Sequence, residues 1–237
     1  MERDRRPKPK VGYYGTGLAA YWPQFPGLKE QVLGLMDRHA AKLAELGCEV
    51  VRGPLVDRAE MSNEVGDMFN RAGVDLVIGE IVTYTASHVI IPVAQRVRAP
   101  YLTLALQTVP TIDYEAATTQ DMTVIGAAMT APEVACAFNR CNLPFHCVVG
   151  GDFQVSTWQR VDAWAQAAAT KRALADARLG YLGHYYPGML DMYTDFTMHQ
   201  GQVGCHVEIL EMCDLAARVA QVTEDEVDAK VRETEAM

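Results

Sequence analysis

From Lys10 onward, short apolar runs rich in β-branched residues alternate with longer stretches in which apolar positions return every three or four residues. KVGYYG, CEVVRG, VDLVIGEI, PYLTLALQ and FHCVVGG read as strands, each closed by glycine, proline or polar residues. Between the first two lies LKEQVLGLMDRHAAKLAELG, where Val32, Leu35, Met36, Leu43 and Leu46 recur at helical intervals and Gly47 supplies a stop. Strand and helix in this alternation are the mark of βαβ units. The pattern predicts an α/β fold over residues 10–176, with a doubly wound, mostly parallel sheet of Rossmann or flavodoxin-like three-layer type.

A second series begins after the helical stretch STWQRVDAWAQAAATKRALADA, for which Ser156 is the expected N-cap. ARLGYLGH and GCHVEIL read as strands, and TEDEVDAKVRETEAM as a helix opened by a capping box of Thr223 and Glu226. Two strands and their helices cannot cover both faces of a sheet. Residues 177–237 are therefore expected to be an incomplete second α/β domain, and residues 1–9 a basic, disordered head.

The net charge of -9 excludes a general binder of the nucleic-acid backbone, which needs an excess of lysine and arginine. With no apolar leader and no long apolar run, the expectation is a cytoplasmic protein with no membrane partner. The six cysteines contain no C-x-x-C pair and read as reduced thiols. Cys147 adjoins His146, but neighbours in a strand point to opposite faces.

Candidate chemistry gathers where the expected strands end. GYYGTGLAAYW places Gly12, Gly15 and Gly17 as G-x-x-G-x-G, which is not the dinucleotide fingerprint, and Trp22-Pro23 stands where a phosphate-binding helix would begin. A ligand loop at the carboxyl end of a strand is favoured over a nucleotide site. EIVTYTASHVIIPVAQ carries Glu80, Thr83, Tyr84, Thr85 and His88, either as a polar, aromatic pocket lip or as a helix capped by Thr85 or Ser87. Gln107, in LALQTVPTIDYEAATTQD, would hydrogen-bond sugar hydroxyls or else satisfy loop backbone. GGDF, before STW, reads as a glycine turn in which Asp152 ties down the backbone. Asp191, Asp195 and His199, spaced four apart, would share one helix face, as metal ligands or as a solvated surface.

Taken together, GYYGTGLAAYWPQFPGL, VTYTASH, PYLTLALQTVPTIDYE, VIGAAMT and RLGYLGHYYPGMLDMYTDFT resemble the amino-terminal half of the L-fucose/L-arabinose isomerase-like family, over nearly all of residues 10–237. This resemblance implies a metal-dependent aldose-ketose isomerase, an intramolecular oxidoreductase acting on a pentose or deoxyhexose. It also implies a cytoplasmic homo-oligomer with sites shared between subunits. The family's Mn(2+) ligands and catalytic bases lie in the carboxyl-terminal half, so no catalytic or metal residue is expected in this chain, which would be inactive alone. Carried over, Tyr84 is a substrate-wall aromatic, Met189 a methionine laid beside the sugar by a Pro-Gly corner that also caps a helix, and Gln107 a glutamine presented to a neighbouring subunit. Tyr21 or Trp22 takes the place of a loop aromatic that crosses to the neighbour. The resemblance places a strand at IGAAM, and the histidine that precedes it in arabinose isomerases is replaced here by Ala117 or a neighbour. The competing reading is a noncatalytic carbohydrate-binding or assembly module.

Overall fold

The computed structural model describes residues 7–236. Of the expected basic head, residues 1–6 lie outside the described residues, while Pro9 already accepts a backbone hydrogen bond from Glu49 at 2.8 Å. The chain divides into two compact units, Met1–Thr170 and Lys171–Met237.

In the first unit, β1 (Lys10–Thr16), β2 (Glu49–Val56), β3 (Leu76–Ile81), β4 (Tyr101–Gln107) and β5 (His146–Gly151) form one parallel sheet in the order β2-β1-β3-β4-β5. They alternate with α1 (Leu28–Glu45), α2 (Ala59–Ala72), α3 (Ile91–Arg96), α4 (Thr119–Ile125), α5 (Ala131–Arg140) and α6 (Val155–Ala175). The doubly wound parallel α/β class expected from the sequence is the one adopted.

Alternation along the strands divides the apolar side chains between two cores. Val11 and Tyr13 of β1, with Ile78, Leu102, Leu104 and Val148, pack against Val32, Met36 and Leu43 of α1 and Trp158 and Val161 of α6. On the opposite face Tyr14, Val77, Ile81 and Ala105 meet Phe69 of α2, Val93 of α3 and Val134 and Phe138 of α5. Each fully buried aliphatic or aromatic side chain of this size contributes about 1.5–3 kcal/mol of transfer free energy. β3 lies between β1 and β4, and all six of its residues are buried. That is why VDLVIGEI shows an unbroken apolar run rather than alternation.

Local chemistry sets the boundaries. β2 runs past Gly53 through Pro54 to Val56, where the sequence pattern suggested an end. It is an edge strand, and the register slips so that Tyr13 faces Arg52 but Gly15 faces Leu55, which absorbs the missing proline N–H. α1 closes at Glu45, with Gly47 at φ 92°, the left-handed conformation glycine adopts without strain. Ser156 lies inside α6, which starts at Val155, so it is not the cap. Thr85 and Ser87 do not cap α3 either, since Ile90 stands at that position. The strand implied at IGAAM is corrected: α4 ends at Ile125 and a 3-10 turn follows over Gly126–Thr130.

In the second unit β6 (Arg178–Leu182) and β7 (His206–Leu210) form a parallel pair. α7 (Phe196–Val203) lies between them in sequence, and α8 (Met212–Val219), which the sequence reading missed, precedes α9 (Glu224–Glu235). The expected capping box of α9 is formed: Thr223 accepts from the Glu226 amide, and Glu226 accepts from the Thr223 amide at 2.9 Å. Tyr181 packs against Tyr185 and Phe196, with ring centroids 5.4 Å away in both cases. Among the described residues of this unit only Cys205 is buried.

Candidate ligand site at the carboxyl edge of the sheet

The strand order reverses direction between β1 and β3, the topological switch point at whose carboxyl edge open α/β sheets bind ligands. The segment after β1 is a tight aromatic loop. Tyr21 donates its amide to Leu18, Trp22 to Ala19, and Gln24 and Phe25 to Tyr21, while Gly17 donates to Val56. Pro23 and Pro26 have no amide to offer. A phosphate cradle needs a run of free amides at a helix start, and this loop has committed most of its own.

Two threonines stand in the segment after β3. Thr85 donates its hydroxyl to the Gly17 carbonyl at 3.2 Å, and Thr83 donates to the Tyr84 carbonyl at 3.0 Å; both threonines are buried. A Cβ on Gly17 would stand 3.0 Å from Trp22 and 3.2 Å from the Thr83 hydroxyl, so this glycine lets the loops approach. Trp22 Nε1 donates to Asp57 Oδ2 at 2.7 Å, fixing the indole over the end of β2. Asp57 Oδ1 is buried and makes no hydrogen bond, although Arg58 Nε offers charge from 3.3 Å.

Of the residues singled out from the sequence, Tyr21, Trp22 and Tyr84 belong to these segments. Tyr21 sets its ring edge-on to Phe25, with centroids 5.8 Å apart. Tyr84 is 40% exposed. Its hydroxyl pKa is raised by the charge of neighbouring Glu133 first, then by a hydrogen bond to that carboxylate, with a further contribution from Tyr21. Gln107 Nε2 donates to the Val109 carbonyl of its own loop at 2.8 Å. Met189 belongs to the second unit, half-exposed in a turn where its amide donates to Tyr186.

Below this rim, on the α1 side of the sheet, lies a buried polar chain. Tyr13 of β1 donates its hydroxyl to Glu80 Oε2. Glu80 Oε1, on β3, stands 2.8 Å from His39 Nδ1, and His39 Nε2, on α1, stands 3.4 Å from Asp152 Oδ2 just beyond β5. Glu80 and His39 are almost wholly buried, and the Asp152 side chain is 20% exposed. Burial opposes a charge on His39, but Glu80, by charge and hydrogen bond, and Asp152 outweigh it and raise the imidazole pKa. Burial, then the Glu80 charge, holds the Tyr13 hydroxyl well above its usual range. In its imidazolium form His39 donates to both carboxylates, the nearer bond being the one to Glu80.

The sequence reading took Glu80 as part of a pocket lip and Asp152 as a backbone tie, and it missed His39 and Tyr13. One signal for His39 was present: it falls four residues after Leu35 and four before Leu43, on the apolar stripe of α1.

The Asp191, Asp195 and His199 series is not a helix face. Asp191 sits in a 3-10 turn, Asp195 is the N-cap of α7 and accepts from the Met198 amide at 3.0 Å, and His199 Nδ1 lies 3.6 Å from Cys205 Sγ. Among the described residues no group of three or more histidine, cysteine, aspartate or glutamate side chains is placed to hold a metal ion.

No family model matches the sequence, and no curated protein matches it. The solved structures it resembles include a type II dehydroquinase from Propionibacterium acnes, with 11% identity and a TM-score of 0.33, covering 67% of this chain and 98% of that one. Another is a 3-dehydroquinate dehydratase-like protein from Bifidobacterium longum, with 19% identity and a TM-score of 0.29, covering 55% of this chain and 98% of that one. At such identity and superposition, nothing about this chain's chemistry is taken from either. Neither of these two is an L-fucose/L-arabinose isomerase and no family model matches, so the family expected from the sequence is corrected. The reading as the amino-terminal half of an aldose-ketose isomerase is withdrawn with it, as is manganese, which rested on that resemblance alone.

Proposed function

We propose that the first unit binds a small polar molecule between the β1 and β3 exits. The observation that carries this is the pairing of Tyr21 and Trp22 after β1 with Thr83, Tyr84 and Thr85 after β3, at the strand reversal of a parallel sheet. Aromatic faces give a ligand apolar contact, while the Glu133 carboxylate beside Tyr84 offers acceptors. That balance favours a ligand rich in hydroxyl or amine donors over a phosphorylated one, in keeping with the committed amides of the loop. Cytoplasmic residence is part of the proposal, supported by six free cysteines. No helix among the described residues is long and apolar enough to cross a membrane.

The test is a saturation-transfer NMR screen of small polyols, amino alcohols and sugar phosphates against the intact chain and a Tyr84→Ala variant. Tyr84 is exposed enough for its removal to leave the fold in place. Uncharged or amine-bearing hits that lose their signal in the variant support the site. An absence of hits, or hits indifferent to Tyr84→Ala, would end it.

A further inference from the structure

His39 joins three elements that are remote in sequence: its own helix α1, the central strand β3 through Glu80, and the segment between β5 and α6 through Asp152. Its ring also lies 5.5 Å from Trp158 of α6, whose Nε1 donates to the Asp152 carbonyl at 2.7 Å. The charged groups around it are Glu80 from β3, Asp152 from the β5 exit, Tyr13 from β1 behind Glu80, and Arg52 from β2. Arg52 stacks over the Tyr13 ring at 5.6 Å and pairs with Asp37 of α1 at 2.9 Å.

The two ties of His39 are unequal. Glu80 is fully enclosed and close, so losing the His39 N–H would leave its Oε1 unpaired in the core, with only Oε2 still held by Tyr13. Asp152 is farther away and partly open to water. When the imidazole loses its proton, one nitrogen must become an acceptor. The lower-cost arrangement keeps the proton on Nδ1 toward Glu80 and turns the Nε2 lone pair toward Asp152, a repulsive pairing that Asp152 escapes by turning to solvent. We propose that His39 is a pH-operated latch: as an imidazolium it holds the β5–α6 segment against the sheet, and on deprotonation it releases that segment alone.

The sign follows from the direction of the shift. Glu80 and Asp152 raise the folded imidazole pKa from its ordinary value, so the latch is closed at low pH and opens as pH rises through the folded value. The segment has other anchors, because the Asp152 amide donates to Gln107 at 3.0 Å and the Gln154 amide donates to Gly151 at 3.1 Å. Release therefore loosens the segment and does not unfold the unit.

The experiment uses the intact chain and needs no ligand. Imidazole resonances are titrated by NMR from about pH 5 to about pH 9, which brackets histidine switches, and protection factors of the Asp152 and Gln154 amides are measured over the same range. The expected result is a His39 midpoint above about 6.5, with protection falling about tenfold across it, the scale of one charge-assisted hydrogen bond. In Asp152→Asn the midpoint should drop and the step in protection should vanish. A midpoint at or below the ordinary value, protection flat across the midpoint, or an unchanged step in Asp152→Asn would each overturn the latch. Should that variant fail to fold, the two wild-type measurements still decide.

Discussion

Gly79, in the middle of β3, faces the hydroxyl ends of two fully enclosed tyrosines. Tyr14 and Tyr101 share a hydrogen bond with oxygens 2.5 Å apart, reaching toward each other across the strand. A Cβ at position 79 would fall inside contact distance of the Tyr101 hydroxyl, 2.9 Å from its Cζ and 3.0 Å from the Tyr14 hydroxyl. Neither ring has room to retreat. Tyr101 packs on Phe138 at 5.2 Å and Tyr14 on Phe69 at 6.0 Å, with helices behind both. Gly79→Ala should therefore cost about 1–3 kcal/mol for overpacking, and about 1 kcal/mol more if the tyrosines part. The sum of about 2–4 kcal/mol is a large share of a typical stability of about 5–15 kcal/mol. Urea unfolding followed by tryptophan fluorescence should show the midpoint fall by roughly 1–2 M with little change in slope. The Tyr101→Phe change supplies a cycle. Alone it strands the Tyr14 hydroxyl and destabilises, but combined with Gly79→Ala it also removes the clashing oxygen, so the two costs should not add. A Gly79→Ala protein within about 0.5 kcal/mol of wild type, or strict additivity in the cycle, would refute this account of the core.

Three further outcomes are expected. Tyr13, Tyr14 and Tyr101 are held protonated chiefly by burial, so above pH ~10 the unfolded chain releases protons that the fold retains. Stability should then fall by about 4 kcal/mol per pH unit for the three together, and urea midpoints flat from about pH 9.5 to about pH 11, across the ordinary tyrosine range, would exclude it. Burial, then the Asp162 charge, pushes the Cys48 thiol up to about 11, so alkylation at mildly alkaline pH, read by peptide mass spectrometry, should mark exposed Cys136, Cys141 and Cys213 well before buried Cys48. Equal labelling of native protein would contradict its burial. Thr223→Ala removes one half of the α9 capping box and should cost that helix about 1 kcal/mol, seen as lost amide protection at Glu226 and Val227; unchanged protection there would show that the box contributes nothing.

The strands were legible because burial on both faces writes itself as runs such as VDLVIGEI, and α1 because its apolar stripe has one sharp period. The exits of β1 and β3 were legible for a related reason: glycine, threonine and aromatic residues follow each strand directly, and strand ends are where parallel sheets place ligands. The buried chain was not legible, because its members stand at positions 13, 39, 80 and 152, and only the order β2-β1-β3-β4-β5 makes them neighbours. Strand order leaves no trace in local periodicity. A histidine on an apolar stripe asks for a buried partner, and Glu80 in a fully buried strand asks for the same, yet each residue alone admits many answers. IGAAM went the other way: the strand there was implied by the resemblance alone, and its apolar, small residues suit a strand or a turn of helix equally. The Thr118–Asp121 capping box just upstream, closed at 3.2 Å from the Asp121 amide and 2.9 Å from the Thr118 amide, commits the segment to helix before those residues are reached. Local rules thus settled the strands and α1, missed α8 and misplaced the caps of α3 and α6, and could not reach the buried chain, whose partners only topology supplies.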